Sequence, residues 1–156
     1  MEKIDWKNLS YYDFIGFVAV TAFLLFVLYF GGLWYATYDY RIQMRDQMVE
    51  MYKQLPNPIP PIEDDYGVHQ RWLVFYIDGV KVLNKPQPEN VINEYKKALE
   101  KEGWDAEREY VRNDKNKTYG VNMRKGEFIL SVSARENRDS INIHLIKRDW
   151  IYNKGF

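Results

Sequence analysis

The sequence predicts an α+β fold, in which a single N-terminal transmembrane helix and a helical stalk precede a small antiparallel sheet with one packed helix. Three observations indicate this fold. The chain has no charged residue from 14 to 38, and four of its six prolines lie between residues 56 and 61. Beyond the prolines, one stretch with apolar residues at helical spacing is surrounded by stretches in which apolar and polar residues alternate, as they do in strands. We therefore expect five segments: an N-terminal tail (1–13), a transmembrane helix (14–38), a stalk helix (39–55), a proline-rich linker (56–65) and a small α+β domain (66–156).

The composition narrows the classes of function. The 156 residues include 22 Lys and Arg against 22 Asp and Glu, so the formal net charge is zero. A nucleic-acid-binding protein normally carries a basic surplus, and we expect no nucleic-acid partner. The absence of cysteine excludes disulfides, thiolate metal sites and a cysteine nucleophile.

The uncharged run is long enough to cross a bilayer. At a rise of about 1.5 Å per residue it spans a hydrocarbon core of about 30 Å with some tilt. Tyr11 and Tyr12 precede the run, and Trp34, Tyr35 and Tyr38 close it, as aromatic belts do at membrane interfaces. A cleaved signal peptide would have a shorter apolar region, of roughly 7–15 residues, and a small-residue cleavage site. We expect a retained single-pass anchor in contact with membrane lipid.

The orientation of the anchor rests on a small charge difference. Lys3 and Lys7 precede the run, whereas Arg41, Arg45 and Lys53 follow it. The positive-inside rule gives a slight preference for a cytoplasmic carboxyl side. A short tail, an anchor and a folded domain are, however, the common layout for a domain displayed outside the membrane. We expect a bacterial inner-membrane protein with an extracytoplasmic C-terminal domain.

The stalk contains good helix formers and an apolar stripe. Met44, Met48, Met51 and Leu55 follow one another at spacings of four, three and four, in a short heptad-like pattern. Two interpretations remain open. The stripe packs back on the protein's own domain, or it contacts the helix of a partner, for which methionine is an adaptable side chain.

The linker is predicted to be extended. Its prolines lack amide donors and bias the preceding residues toward extended geometry. The acidic residues Glu63, Asp64 and Asp65 follow, but no Asp-x-Asp-x-Asp-Gly loop accompanies them. We therefore interpret them as solvated linker residues and not as a calcium site.

The domain begins with a stretch rich in β-formers, 71–77. Asp78 and Gly79 separate it from 80–83, which predicts a two-residue hairpin, with a single bent strand as the alternative. A helix follows, with Pro88 in its first turn and Gly103 just past its end. Trp104 is expected between helix and sheet. Alternating patterns then predict four strands: 106–112, 118–124, 127–134 and 140–147.

Catalytic motifs are absent from the sequence. It contains no glycine-rich phosphate loop, no G-x-S-x-G and no H-E-x-x-H. His69 and His144 are far apart and lack the spacing of metal ligands. Carboxylates are plentiful, but no pair stands out. We therefore expect a protein that is not an enzyme, with no cofactor, no metal and no small-molecule substrate.

Candidate partner-binding residues come from the stripe, from one predicted strand and from the aromatic C-terminus. Arg108, Tyr110 and Arg112 alternate along the strand, and Tyr and Arg are residue types that anchor protein interfaces. A merely solvated strand face is the alternative. The candidates are Met44, Met48, Met51, Arg108, Tyr110, Arg112 and Trp150.

This layout resembles that of many accessory subunits of bacterial membrane complexes. We therefore expect a non-enzymatic accessory or assembly subunit that binds integral membrane proteins through its anchor and its tethered domain. The alternative is a membrane-anchored binding protein for a soluble target, as an immunity protein binds a toxin. In the first case the transmembrane helix contributes to binding, whereas in the second the domain alone suffices.

Overall fold

The computed structural model describes residues 11–71, 74–84, 86–113 and 115–148. Helices and a single antiparallel sheet make up this part of the chain, so the predicted α+β fold is confirmed. Contacts within the chain divide it into two compact units, the first ending at Arg41 and the second beginning at Ile42. The elements are α1 (Tyr11–Ala36), α2 (Tyr38–Lys53), β1 (Glu63–Arg71), β2 (Val74–Val82), α3 (Pro88–Lys101), β3 (Asp105–Asn113), β4 (Lys117–Lys125), β5 (Phe128–Arg135) and β6 (Ser140–Lys147).

The first unit consists largely of α1. Its stretch Phe14–Ala36 is, by length and composition, able to cross a membrane, and most of its residues are exposed and none is buried. The guanidinium of Arg41 lies 3.5 Å from the centroid of the Trp34 ring and donates a hydrogen bond of 3.0 Å to the Trp34 carbonyl. A cation is thereby held against the aromatic residue that closes the apolar stretch.

The second unit contains a six-stranded sheet in the order β1-β2-β6-β5-β4-β3, with every neighbouring pair antiparallel. Strand β6 lies between β2 and β5, so it joins the β1–β2 pair to the β3–β4–β5 meander. The turn between β4 and β5 contains Gly126 with φ 59°, a left-handed conformation that glycine adopts without strain. Lys125 pairs with Phe128, so Gly126 and Glu127 form a two-residue turn between the strands.

The four strands predicted after the helix are confirmed. At Asp78 and Gly79 the predicted hairpin is wrong, and the alternative of a single strand through both residues is correct. Strand β2 runs without interruption through both residues. Gly79 is required there by a close approach: a Cβ on it would lie 2.0 Å from the Tyr52 hydroxyl oxygen. The acidic residues that we assigned to the linker lie in a strand instead. Glu63 is the first residue of β1 and is opposite Val82 of β2, and Asp64 and Asp65 follow in the same strand.

Both α2 and α3 lie on the same face of the sheet. Helix α3 buries Val91, Ile92, Tyr95 and Leu99 against β3, β4 and β5, which confirms the predicted helix and its apolar face. Gly103 has φ 81° and ends the helix as predicted, and the Trp104 that follows is buried. The sheet residues under the helices are Phe75, Ile77, Val121, Met123, Leu130, Val132, Ala134, Ile141, Ile143 and Leu145.

Helix α2 contributes the methionine stripe to the protein's own fold. Met44, Met48 and Leu55 are buried, and so is Tyr52 on the same helix. The Tyr52 ring contacts the ring of Tyr66 in β1, with the two centroids 4.8 Å apart. Of the two interpretations of the stripe, burial favours packing on the protein's own domain.

A polar cluster lies around the buried Lys81 and Tyr52 on the covered side of the sheet, close to α2. The Lys81 ammonium is 3.0 Å from the Asp64 carboxylate and also donates to the Asn57 side chain. The Tyr52 hydroxyl donates to the same carboxylate at 3.1 Å. Burial, together with Asp64, raises the pKa of Tyr52 and that of Tyr95 above their ordinary value. Among the described residues, the Tyr95 hydroxyl has no hydrogen-bond partner.

Candidate interaction face

The helices cover one face of the sheet and leave the other open. Successive side chains of a strand point to opposite faces, and residues paired in register share a face. On the uncovered side, no side chain in the described part of the sheet is buried. We call this surface the open face. It comprises positions 63, 65, 67, 69 and 71 of β1, 74, 76, 78, 80 and 82 of β2, 140, 142, 144 and 146 of β6, 129, 131, 133 and 135 of β5, 118, 120, 122 and 124 of β4, and 108, 110 and 112 of β3.

The structure places Arg108, Tyr110 and Arg112 together on the open face, at its β3 edge. The Tyr110 ring lies over Gly120 in β4, where a Cβ would come within 2.3 Å of the ring. The Arg112 guanidinium is 5.6 Å from the centroid of that ring. Within the described residues, neither Arg108 nor Arg112 has a carboxylate partner. Two arginines therefore stand near an aromatic ring with no acidic group in the described part of the chain to hold them. This arrangement suits a protein interface.

A depression of about 430 Å³ occupies this part of the open face. Three arginines and a histidine contribute to its wall, and the side chains of a serine and an asparagine add neutral donors and acceptors. Two isoleucines provide apolar surface. These residues are Arg108, Arg112, Arg148, His144, Ser131, Asn122, Ile129 and Ile146.

A second cluster on the open face was not anticipated from the sequence. His144 Nδ1 lies 2.7 Å from one carboxylate oxygen of Asp78, and His69 Nε2 lies 3.8 Å from the other. The Tyr76 ring lies between the imidazoles, with its centroid 5.1 Å from that of His69 and 5.5 Å from that of His144. Only the strand register brings these residues together. Among the described residues, no group of three or more His, Cys, Asp or Glu is placed to hold a metal ion.

The remaining predicted interface residues do not lie on the open face. Met44 and Met48 are buried, and Met51 is half-buried beside Phe128 in a separate depression. To contact a partner, the buried methionines would have to leave the core. The prediction for Trp150 lies outside the described residues.

Comparison with known proteins assigns no function to this chain. No protein-family model matches it, and neither a curated protein nor a solved structure does. What the chain does is therefore inferred from the open face and from the apolar helix.

Proposed function

We propose that this chain is a non-enzymatic, membrane-anchored accessory subunit that binds a partner protein through the open face. The observation that carries the proposal is the asymmetry of the sheet. Both helices lie on one face, whereas the other presents Tyr110 together with Arg108 and Arg112, which have no carboxylate partner among the described residues. An antiparallel sheet often has one solvated face. Arginine and tyrosine are, however, enriched among the residues that contribute most to protein interfaces. Their grouping on the open face therefore favours an interface over a merely solvated face.

The anchor follows from the properties of α1. No residue of the apolar stretch Phe14–Ala36 is buried, and such a helix needs an apolar environment, which lipid provides. It ends in Trp34 and Tyr35, and Arg41 is held against Trp34, as interfacial aromatic and basic residues are in membrane proteins. In this proposal the folded domain lies on the extracytoplasmic side of a bacterial inner membrane.

Tethering makes a modest interface sufficient. A domain held at the membrane meets a partner in the same membrane at a high effective concentration, so a weak contact at the open face is strengthened without new contacts. Gly32 and Ala36 lie four residues apart on α1, a small-residue pair that permits close approach of another helix. The anchor and the open face would then bind together.

A second candidate function is favoured by the burial of the methionine stripe. Because Met44 and Met48 are part of the protein's own core, the stalk leaves little apolar surface for the helix of a partner. Binding would then depend on the open face alone. This corresponds to a membrane-anchored binding protein for a soluble target.

Four forms of the full chain, solubilised in mild detergent and used as bait, distinguish these functions. They are the wild type, an open-face variant (Arg108→Ser with Arg112→Ser), an anchor variant (Gly32→Leu with Ala36→Leu) and a charge-matched control on α3 (Lys97→Ser with Lys101→Ser). The control removes two cations from exposed positions on the covered side. Copurifying proteins, including an untagged copy of the chain itself, are identified by mass spectrometry.

We expect the open-face variant to lose a partner that the control retains. If the anchor variant also loses that partner, and the partner is a membrane protein, the accessory subunit is supported. If a soluble partner is lost only with the open-face variant, the second candidate replaces the first. Full retention of every partner by the open-face variant would contradict both.

A further inference from the structure

In the rows of the open face that contain Glu63, Asp65 and Gly67, the charges at the β1 edge are acidic and those at the β3 edge are basic. Glu63 and Asp65 stand at the β1 edge, and Arg108 and Arg112 stand at the β3 edge. All four side chains are exposed, and within the described residues none of them has an ion-pair partner. The edges are five strand spacings apart, about 24 Å, so the acids and the arginines cannot reach each other within one chain.

The strand register aligns the two edges row by row. Glu63 is opposite Val82, and the ladder continues along this row to Thr118 and Arg112. One row further along β1, Asp65 is opposite Val80, and the ladder continues to Gly120 and Tyr110. Along the strand direction, Glu63 is therefore level with Arg112 at the other edge, and Asp65 is level with Tyr110.

We propose that the partner on the open face is a second copy of this chain, docked face to face about a two-fold axis parallel to the strands. This inference rests on the proposed function, because it assumes that the open face binds protein. Such an axis superimposes β1 of one copy on β3 of the other and preserves the height of every row. The acidic edge of each copy then meets the arginine edge of the other, and each ionic contact occurs twice.

The centre of the open face fits the same axis. Strands β5 and β6 lie next to the axis, where Ile129 and Ile146 are paired in register and half-buried. In the dimer, Ile129 of one copy meets Ile146 of the other, twice. Val80, 42% exposed in the single chain, meets the position of Gly120 in the other copy, where the Tyr110 ring that covers this glycine offers it an apolar surface. An apolar centre with a charged rim is the usual anatomy of an interface.

The remaining charged residues of the open face are Arg71, Asp78, Arg124 and Arg135. Arg124 forms an ion pair with Glu107, and Arg135 donates a hydrogen bond to the Thr118 hydroxyl. The Asp78 carboxylate already has partners within the chain, because His69 and His144 both lie against it. Arg71, a base at the far end of β1, lies one row beyond the position that Asp105 occupies on β3. A six-stranded face with strands of eight or nine residues offers on the order of 700 Å², close to the roughly 800 Å² per partner of a stable interface.

A second copy accounts for more of the open face than an acidic partner does. An acidic partner would neutralise Arg108 and Arg112 but would be repelled by Glu63 and Asp65. A second copy neutralises both edges at once. The open face is therefore complementary in charge to the open face of a second copy.

Charge reversal tests the proposal directly on the full chain in mild detergent. An acid-edge variant carries Glu63→Arg and Asp65→Arg, and a base-edge variant carries Arg108→Glu and Arg112→Glu. Alone, each variant places like charges against each other in both symmetric contacts. Mixed, the two variants place opposite charges together in both contacts. Self-association is measured by light scattering and by copurification of differently tagged copies.

We expect the wild type to form dimers that weaken with rising salt, each variant alone to associate at least about tenfold more weakly, and the mixture to recover dimers. A monomeric wild type, or dimers unaffected by either variant, would overturn the proposal, the latter assigning self-association to the anchor. A mixture that stays monomeric would also overturn it. Unchanged circular dichroism of the variants shows that the fold is intact.

The same variants separate this proposal from the proposed function. If another protein is lost with the base-edge variant but kept with the acid-edge variant, the open face binds an acidic partner, and only the second-copy inference fails. If neither self-association nor any other partner responds to either variant, both proposals fail.

Crosslinking provides an independent readout, because the chain has no native cysteine. Asp65→Cys and Arg112→Cys are combined in one chain, where the two positions are too far apart for a short bismaleimide. We expect a covalent dimer. A control with Lys97→Cys and Lys101→Cys on α3 should give little dimer. Equal yields from the two, or none from the open-face pair, would overturn the proposal.

Discussion

The Lys81 ammonium lies 3.0 Å from the Asp64 carboxylate, in an ion pair on the covered side of the sheet. The Lys81 side chain is 2% exposed and that of Asp64 is 34% exposed. Asp64→Asn leaves a buried cation without its counter-ion. We expect a loss of about 3 kcal/mol in the free energy of unfolding, at the low end for a broken buried pair because water reaches Asp64. Urea unfolding of the full chain in detergent, followed by near-ultraviolet circular dichroism, measures this.

The matched variant Lys81→Met removes the cation and keeps an unbranched apolar side chain. Replacing a buried charge by an apolar group of similar shape is often tolerated. We expect Lys81→Met to cost less than Asp64→Asn, and the double variant to cost less than the sum of the two. Additive losses would show that the pair is not energetically coupled.

The Tyr95 hydroxyl predicts a stabilising substitution. This oxygen is buried and finds no hydrogen-bond partner in the part of the chain that the structure describes, so the cost of its lost hydration is not offset. Tyr95→Phe keeps the ring and removes the oxygen. We expect stability to stay unchanged or to rise by about 1 kcal/mol. Tyr52→Phe is the contrasting control, because that hydroxyl donates to Asp64 and its loss should destabilise.

The same two tyrosines predict a loss of stability in alkali. Burial, then Asp64, raises the pKa of Tyr52 and that of Tyr95 in the folded chain. Unfolded tyrosines ionise near pH 10, so above that pH the folded state binds more protons than the unfolded state and stability falls as pH rises. Their contribution is complete below pH 10 and is lost as pH rises toward the folded pKa. Urea midpoints at pH 9 and pH 11 measure the slope, and Tyr95→Phe should flatten it. An unchanged slope would contradict the assignment.

The packing of α2 predicts unequal effects within the methionine stripe. Met48 is 0% exposed, whereas Met51 is only half-buried. We expect Met48→Ala to cost about 2–5 kcal/mol, as large-to-small core substitutions do, and Met51→Ala to cost clearly less. Urea midpoints compare the two variants. Similar small effects would indicate that the stripe is not part of the core of the domain.

Much of the fold was accessible from the sequence, because local patterns encode it. The strands after α3 alternate cleanly, and α3 itself has one apolar face and a glycine at its end. The error at Asp78 and Gly79 arose because that pair is a strong turn signal. The true reason for the glycine, the approach of the Tyr52 hydroxyl, is a tertiary contact that no local pattern reveals.

The candidate site was only partly accessible. Alternation placed Arg108, Tyr110 and Arg112 on one face of a strand. It could not show that this face is the one that the helices leave uncovered. His69 and His144 approach the Asp78 carboxylate only because their strands are neighbours in the sheet. Asp78 and His144 are 66 residues apart in the sequence, so no local pattern reveals the contact. The acids of β1 were assigned to the linker, so the segregation of charge across the sheet could not be seen.

Two glycines predict a contrast between the covered face and the open face. At Gly79 an added Cβ would lie 2.0 Å from the Tyr52 hydroxyl oxygen, and at Gly120 it would lie 2.3 Å from the Tyr110 ring. Tyr52 is buried and hydrogen-bonded to Asp64, so it cannot move without loss, whereas the half-buried Tyr110 can turn toward solvent. We expect Gly79→Ala to cost at least about 2 kcal/mol, by analogy with overpacked cores, and Gly120→Ala to cost much less.

Glycine is itself unfavourable in a strand, so alanine without a clash would be neutral or stabilising. Tyr52→Ala should therefore abolish the penalty of Gly79→Ala, which a double-mutant cycle from urea midpoints measures. Gly120→Ala should instead displace the Tyr110 ring and weaken binding at the open face while leaving the domain folded. Equal stability losses at the two glycines would mean that Tyr110 is held as firmly as Tyr52, and that the open face is more rigid than its exposure indicates.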